Sequence, residues 1–312
     1  MKTYYVRMAQ SIYDFFPWIK GNTLKKMLSA FLPWMPVKKM ELENKVILTL
    51  PLLKTKKITN KQYSRMAKKI VKKESLRDIV LTKDLFYQEA FIWQLKKDSV
   101  HIFDGKWLEQ YLIPDCLFFI CKKQKQNLEE KEISILVNEL SDIVKQIIIN
   151  LAQKVRLLNI ITNQINSYQK IEDFLYQNYG IMVRVTNNKK ALSKSDIIIN
   201  MDYSEEKLNY FSLPKKGIIL NLGRNIRIKS KKFEGINIRN YKMIFQNQEM
   251  QEFKQLHLEE EFERKILYES ILYRKDSYKN IREKIQKDKV QITELIGLNG
   301  IIHEREYVTE NS

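Results

Sequence analysis

The sequence predicts an α/β protein with a parallel-sheet domain over residues 131–245. A smaller α/β domain over 1–125 precedes it, and a helical segment over 246–312 follows. Three observations carry this reading. Short apolar, β-branched runs alternate with amphipathic stretches, the pattern of strand–helix–strand units with parallel pairing. The charged run KKQKQNLEEKE (122–132) separates two such series. Beyond residue 246 the apolar runs give way to charged, helically periodic sequence such as EFERKILYESILYRK.

In the first series, KVILTLPLL (45–53) reads as a strand and NKQYSRMAKKIVKK as an amphipathic helix. DIVLTKDL is a second strand, FYQEAFIWQLKKD a helix, SVHIFDG a short third strand, and KWLEQYLIPDCLFFICKK a helix interrupted by Pro114. The second series opens with EISILVNE as a strand and SDIVKQIIINLAQKV as a helix capped by Ser141 or Asp142. RLLNIITN is the next strand, and SYQKIEDFLYQNYG a helix stopped by Gly180. IMVRVTNN, DIIINMD and GIILNLG complete five strands, with INIRNYKMIF as a further candidate. Strands apolar on both faces belong in the middle of a sheet covered by helices on both sides.

The polar residues gather where these strands end. Asn138, Thr162, Asn163, Thr186, Asn200, Asp202 and Asn221 all sit at carboxyl tips, and Ser141 opens the first helix. Ligands of open α/β sheets bind along that edge, so these residues form a candidate cofactor-binding rim. The plainer role for Asn, Asp and Thr at such positions is to cap helices and close turns. Just past the fifth strand, GRNIRIKSKKFEG gathers Arg224, Arg227, Lys229, Lys231 and Lys232, a candidate anion-binding rim if the segment is extended.

Residues 131–223 resemble the Rossmann-like NAD(P)-binding domain of the shikimate dehydrogenase and glutamyl-tRNA reductase type. The matching pieces are LLNIITN, GIMVRVT and SDIIIN, the last similar to the strand beside the nicotinamide in those enzymes. The resemblance implies a dinucleotide fold but departs from it at the phosphate turn. There VNELSDIV holds no glycine, and Glu139 and Asp142 put negative charge at the helix N-terminus. NAD(P) is therefore disfavoured at this turn, and no cofactor is assigned. LTLPLLK (48–54) is one residue too long for the family's substrate loop and lacks its leading Asn, so no catalytic pair carries over.

The chain has 55 Lys+Arg against 37 Asp+Glu, a net charge of +18, most of it before residue 246. Such charge attracts nucleic acid or anionic surfaces, although the abundance of Lys, Ile and Asn together also fits an A/T-rich coding bias. Cys116 and Cys121 lie in one apolar run, which fits a reducing, cytoplasmic setting. His101, His257 and His303 stand far apart, and no metal site is expected. No apolar run is long enough for a transmembrane segment, and the first residues lack the pattern of a signal peptide. In GNTLKKMLSAFLPWMPVKK, Leu24, Met27, Leu28, Phe31 and Leu32 recur at helical spacing beside lysines and Trp34. Such a helix lies either in a membrane interface or on the body of the protein, and docking on the body is expected.

The sequence thus predicts a Rossmann-like protein that has lost conventional dinucleotide binding. Its crevice between the two domains would serve as a binding or regulatory site for a small polar metabolite or nucleotide. The alternative is an NAD(P)-dependent oxidoreductase with an atypical phosphate turn, and a second alternative is a nucleic-acid or anionic-surface binder. Whether the chain is an enzyme stays open at this point.

Overall fold

The computed structural model describes residues 2–19, 22–229, 233–273 and 276–307. The chain forms two compact units. The first comprises Met1–Gly105 with Asn247–Arg274, and the second Lys106–Gln246 with Lys275–Ser312.

The first unit begins with strand β1 (Thr3–Ala9) and helix α1 (Asn22–Phe31), followed by β2 (Lys38–Glu41) and β3 (Lys45–Leu53). Helix α2 (Asn60–Glu74), β4 (Asp78–Leu81), the short α3 (Lys83–Phe86), α4 (Glu89–Lys97) and β5 (His101–Ile102) come next. Among the described residues the sheet order is β2-β3-β1-β4-β5, parallel except for the antiparallel β2. All nine residues of β3 are buried, as the unbroken apolar run requires. Helix α2 starts where Thr59 and Gln62 bond reciprocally to each other's backbone N–H.

The central strand β1 was not among the expected elements, and the unit has five strands where the sequence reading has three. TYYVRMA hides its strand character because Tyr5 and Arg7 bring polar atoms inward. Those atoms find partners within the unit. The Tyr5 hydroxyl lies 3.0 Å from Ser270 Oγ, and Arg7 binds Glu261 at 2.6 Å.

The second unit starts with α5 (Lys106–Tyr111) and α6 (Ile113–Gln124), with Pro114 in the first turn of α6. A proline there removes no helical hydrogen bond, so it separates two helices without kinking one. These helices group with the second unit, since α5 packs on α7 (Asp142–Ala152). The charged run 122–132 is therefore a connection inside this unit. The sheet consists of β6 (Glu132–Leu136), β7 (Leu157–Ile161), β8 (Arg184–Thr186), β9 (Ile197–Asn200), β10 (Ile218–Leu220) and β11 (Ile236–Ile238). Helices α8 (Ile165–Tyr179) and α9 (Glu205–Asn209) connect among them.

Every pairing is parallel, and the spatial order β8-β7-β6-β9-β10-β11 corresponds to 3-2-1-4-5-6 in sequence order. This is the doubly wound Rossmann arrangement, which turns back between its first and fourth strands. As read from the sequence, Ser141 caps α7 and Gly180 ends α8 at φ +66°.

The expected bracing helical segment over 246–312 divides between the units. Helices α10 (Gln248–Gln255) and α11 (Arg264–Leu272) belong to the first, where Phe253 and Phe262 pack on Tyr5. Helix α12 (Tyr278–Lys287) and the terminal turn α13 (Glu304–Tyr307) belong to the second. Strands also occur within and just before this stretch. β12 (Asn240–Ile244) pairs antiparallel with β13 (Gln291–Gly297), which pairs with β14 (Gly300–Ile301). No helix among the described residues is long and apolar enough to cross a membrane.

Candidate ligand site at the carboxyl edge of the second sheet

Register aligns the polar tips. Leu136 pairs with both Ile161 and Asn200, Ile161 with Thr186, and Ile199 with Leu220. The carboxyl ends of five strands therefore lie abreast.

At the switch point, the β6–α7 turn is closed by the protein itself. Asp202 Oδ2 accepts hydrogen bonds from the backbone N–H groups of Asn138 and Glu139, both at 2.7 Å, and Oδ1 accepts from Asn138 Nδ2 at 3.2 Å. Asn138 Oδ1 in turn accepts from the Asn163 N–H at 2.9 Å. The Tyr168 hydroxyl donates to Glu139 O, and Ser141 Oγ accepts from the Val144 N–H. Burial, with Asp202 the first of the nearby charges, holds the Tyr168 phenol well above its ordinary range. A carboxylate thus rests on the N–H groups that a diphosphate would use in a dinucleotide-binding turn.

Asn200 and Asn221 point into the sheet. Asn200 Nδ2 donates to Asn221 Oδ1 at 2.8 Å, and Asn221 Nδ2 to Asn237 Oδ1 at 2.7 Å. Asn237 Nδ2 ends the chain on Ile226 O. Asn200 also closes its own turn, accepting from the Tyr203 N–H and donating to Tyr203 O. All three amides are buried. The chain links β9, β10 and β11 through their side chains, which is why the isoleucine run stops on an amide. Thr162 and Thr186 make short turns with Gln164 and Asn188. Capping, turn closure and the cross-strand amide chain therefore account for the side-chain hydrogen bonds of the rim residues other than Asn163, which takes part through its backbone N–H.

A cavity of about 100 Å³ opens at the ends of β9 and β10. Its walls include Asn200 and Met201 from β9 and its turn, and Arg224 past β10. Lys106, Glu109 and Gln110 of α5 complete it, so every lining residue lies in the second unit. Arg224 is half-buried, and burial pulls its guanidinium below the ordinary arginine value while Asp202 opposes that. Its Nη1 donates to Tyr203 O at 3.1 Å. Glu109 is buried, and its carboxylate occupies the space that a Cβ on Gly223 would take. Gly223, at φ +65°, is required twice over: for its backbone and for that close approach.

Of the described basic candidates only Arg224 lines this cavity. Residues 224–229 are irregular where an extended segment was expected, so Arg227 and Lys229 share no strand face with it. Both are exposed, and Lys229 Nζ pairs with Glu205 at 3.0 Å. The Glu205 carboxyl is held below its ordinary range by the Arg227 backbone N–H and by Lys229. Lys231 and Lys232 lie outside the described residues. The α5 residues were not candidates in the sequence, whose one signal is a carboxylate at 109 directly after the apolar Leu108. No cluster of three or more metal-ligating side chains occurs among the described residues. Cys116 and Cys121 are buried, and neither is in a disulfide.

No protein-family model matches the chain. No curated protein matches it either. Among solved structures it is similar to a subunit of dipicolinate synthase from Bacillus halodurans, at 8% identity over 56% of this chain and 58% of that one, with a TM-score of 0.35. A shikimate dehydrogenase in complex with NADP+ gives 10% identity over 70% and 75%, at a TM-score of 0.27. The glutamyl-tRNA reductase from Methanopyrus kandleri gives 13% over 73% and 53%, also at 0.27. The chain spans less than two thirds of the first and last of these. Both enzyme types named by the sequence resemblance are thus among its structural neighbours. Likeness at this level carries no argument about activity, and the Rossmann-like assignment of the second unit rests on its strand order.

Proposed function

We propose that the second unit is a degenerate Rossmann-like domain that binds a small, negatively charged polar ligand in the cavity beside Arg224. The observation that carries this reading is the Asp202 carboxylate on the Asn138 and Glu139 N–H groups, with the place of a diphosphate already taken. The cavity at the ends of β9 and β10 has Arg224 and Lys106 as cations and Gln110 as a polar neighbour, against the one carboxylate of Glu109. At about 100 Å³ it is well below the roughly 300–1,000 Å³ of pockets that enclose drug-sized ligands, which favours a compact metabolite.

A thermal-shift screen of small carboxylates and phosphate esters tests this. A ligand should raise the melting temperature of the wild type and not that of Arg224→Gln, whose own melting temperature should stay close to the wild-type value. The second reading is an NAD(P)-dependent oxidoreductase with an atypical phosphate turn, supported by the 3-2-1-4-5-6 strand order. It predicts stabilisation by NADPH or NADH at sub-millimolar concentration. A shift with either nucleotide on the wild type would replace the first reading by the second.

A further inference from the structure

Helix α1 leaves most of its apolar face exposed. Leu24, Met27, Leu28 and Phe31 follow i, i+3, i+4, i+7 spacing and share one face, which a globular protein normally packs on its core. Here Leu24 is 50% exposed, Met27 61% and Phe31 60%. Leu28 is half-buried on the flank next to Ser29, whose O and Oγ both accept from Lys56 Nζ. The expectation that this helix docks its apolar face on the body is therefore corrected. The following turn continues the pattern: Leu32 is buried and anchors the segment, while Trp34 stands 81% exposed. Trp18, before the helix, is 69% exposed. Isolated exposed apolar residues are ordinary, but five large ones on and around one short helix are not.

The part of the chain that carries this helix is strongly basic. Residues 1–73 hold 17 Lys+Arg against three Asp+Glu, a net of +14 out of +18 for the chain. Several lysines are fastened to the exposed segment. Lys25 lies over the Tyr13 ring at 4.6 Å, Lys38 donates to Asp14 O, and Lys69 donates to Met35 O. An apolar helical face bordered by lysines, with a tryptophan on each side, matches a bilayer interface. The rings and aliphatic side chains enter the acyl boundary while the ammonium groups meet phosphate headgroups.

We propose that α1, with Trp18 and Trp34, is a membrane-surface anchor that holds this protein on anionic lipid. Charge complementarity sets the lipid class: a neutral bilayer offers the apolar contact alone, and an anionic one offers both. The inference is independent of the ligand assigned to the second unit.

The test is co-sedimentation of the full-length protein with vesicles, either pure phosphatidylcholine or containing about 30 mol% phosphatidylserine. The expected result is partition into the anionic vesicles, with a blue shift of tryptophan emission. Partition into neutral vesicles should be weaker by roughly tenfold or more, and binding should weaken as salt is raised. The double variant Met27→Glu/Phe31→Glu should lose roughly tenfold or more of the anionic binding. Trp93→Ser, an exposed tryptophan on α4, should lose none. Leu24→Ser/Trp34→Ser is the second variant, and unchanged melting curves establish that these chains fold. Equal partition of wild type and both double variants would overturn the proposal, as would absence of binding to anionic vesicles. So would a wild-type dimer in solution that Met27→Glu/Phe31→Glu dissociates. A variant that loses oligonucleotide binding and keeps vesicle binding would likewise overturn it, in favour of nucleic acid.

Discussion

Replacing Asp202 by Ala removes the acceptor of two backbone N–H groups at 2.7 Å and of the Asn138 amide at 3.2 Å. A hydrogen bond to a charged group contributes roughly 1.5–3 kcal/mol net when buried. Asp202 and Asn138 are half-buried and Glu139 is exposed, so water can replace part of what is lost. The expected cost is about 2–3 kcal/mol for Ala. For Asn, which keeps one oxygen for the two N–H groups, it is about 1 kcal/mol. Urea unfolding followed by far-UV circular dichroism measures both, with the slope of each transition expected to match the wild type. If the site is an anion position, inorganic pyrophosphate should raise the midpoint of Asp202→Ala and leave the wild type unmoved. An Ala variant within about 0.5 kcal/mol of wild type would refute the closed-turn reading. A destabilised variant that pyrophosphate does not rescue would refute the claim that the carboxylate stands in a diphosphate's place.

Three further outcomes concern the second unit. Asn221→Ala breaks the amide chain at its fully buried centre, removes one bond from Asn200 and the donor to Asn237 Oδ1, and should cost about 2–4 kcal/mol in urea unfolding. Gly223→Ala and Gly180→Ala share a positive φ, but only Gly223 faces a side chain, the carboxylate of Glu109. Gly180→Ala should cost about 1 kcal/mol and Gly223→Ala clearly more, about 2–3 kcal/mol. The Glu205 carboxyl sits below its ordinary value of 4.5 in the folded chain, so its stabilising contribution is complete above that value and fades as pH falls through the lowered one. Glu205→Gln should therefore melt below wild type at pH 7, with the gap closing in acid.

The strands that were legible share one property. β3, β6, β7, β9 and β10 are apolar on both faces or nearly so, because helices cover them, and such runs announce themselves in sequence. β1 lies at the centre of its sheet yet was missed, since Tyr5 and Arg7 carry polar groups whose partners include Ser270 and Glu261, more than 250 residues away. The exposed edge strand β2 and the two-residue β14 carry too little pattern to read. The candidate rim was legible in part. Asn200 and Asp202 were marked correctly as an interruption, but a sequence does not tell whether an amide turns toward solvent or along the sheet. The cavity wall from α5 was illegible for another reason. Its residues meet Arg224 more than 100 positions downstream, and the charged run at 122–132 looked like a boundary between them.

The placement of Asp202 follows from register. β9 lies beside β6 with Asn200 opposite Leu136, so the residue two beyond Asn200 falls opposite the residue two beyond Leu136. That pair is Asp202 and Asn138, and a short acidic side chain at 202 reaches the N–H groups of 138 and 139 without any backbone distortion. Glycine-bearing Rossmann turns leave those donors for the ligand, and their glycines keep side chains out of its way. Here both conditions are reversed: the donors are used, and Asn138, Glu139, Leu140 and Ser141 all carry side chains. Removing Asp202 alone therefore frees the N–H groups without making room. Small anions should respond to that change and a dinucleotide should not. A glycine at 138 or 140 without the Asp202 change should do even less, because the carboxylate would still hold the turn.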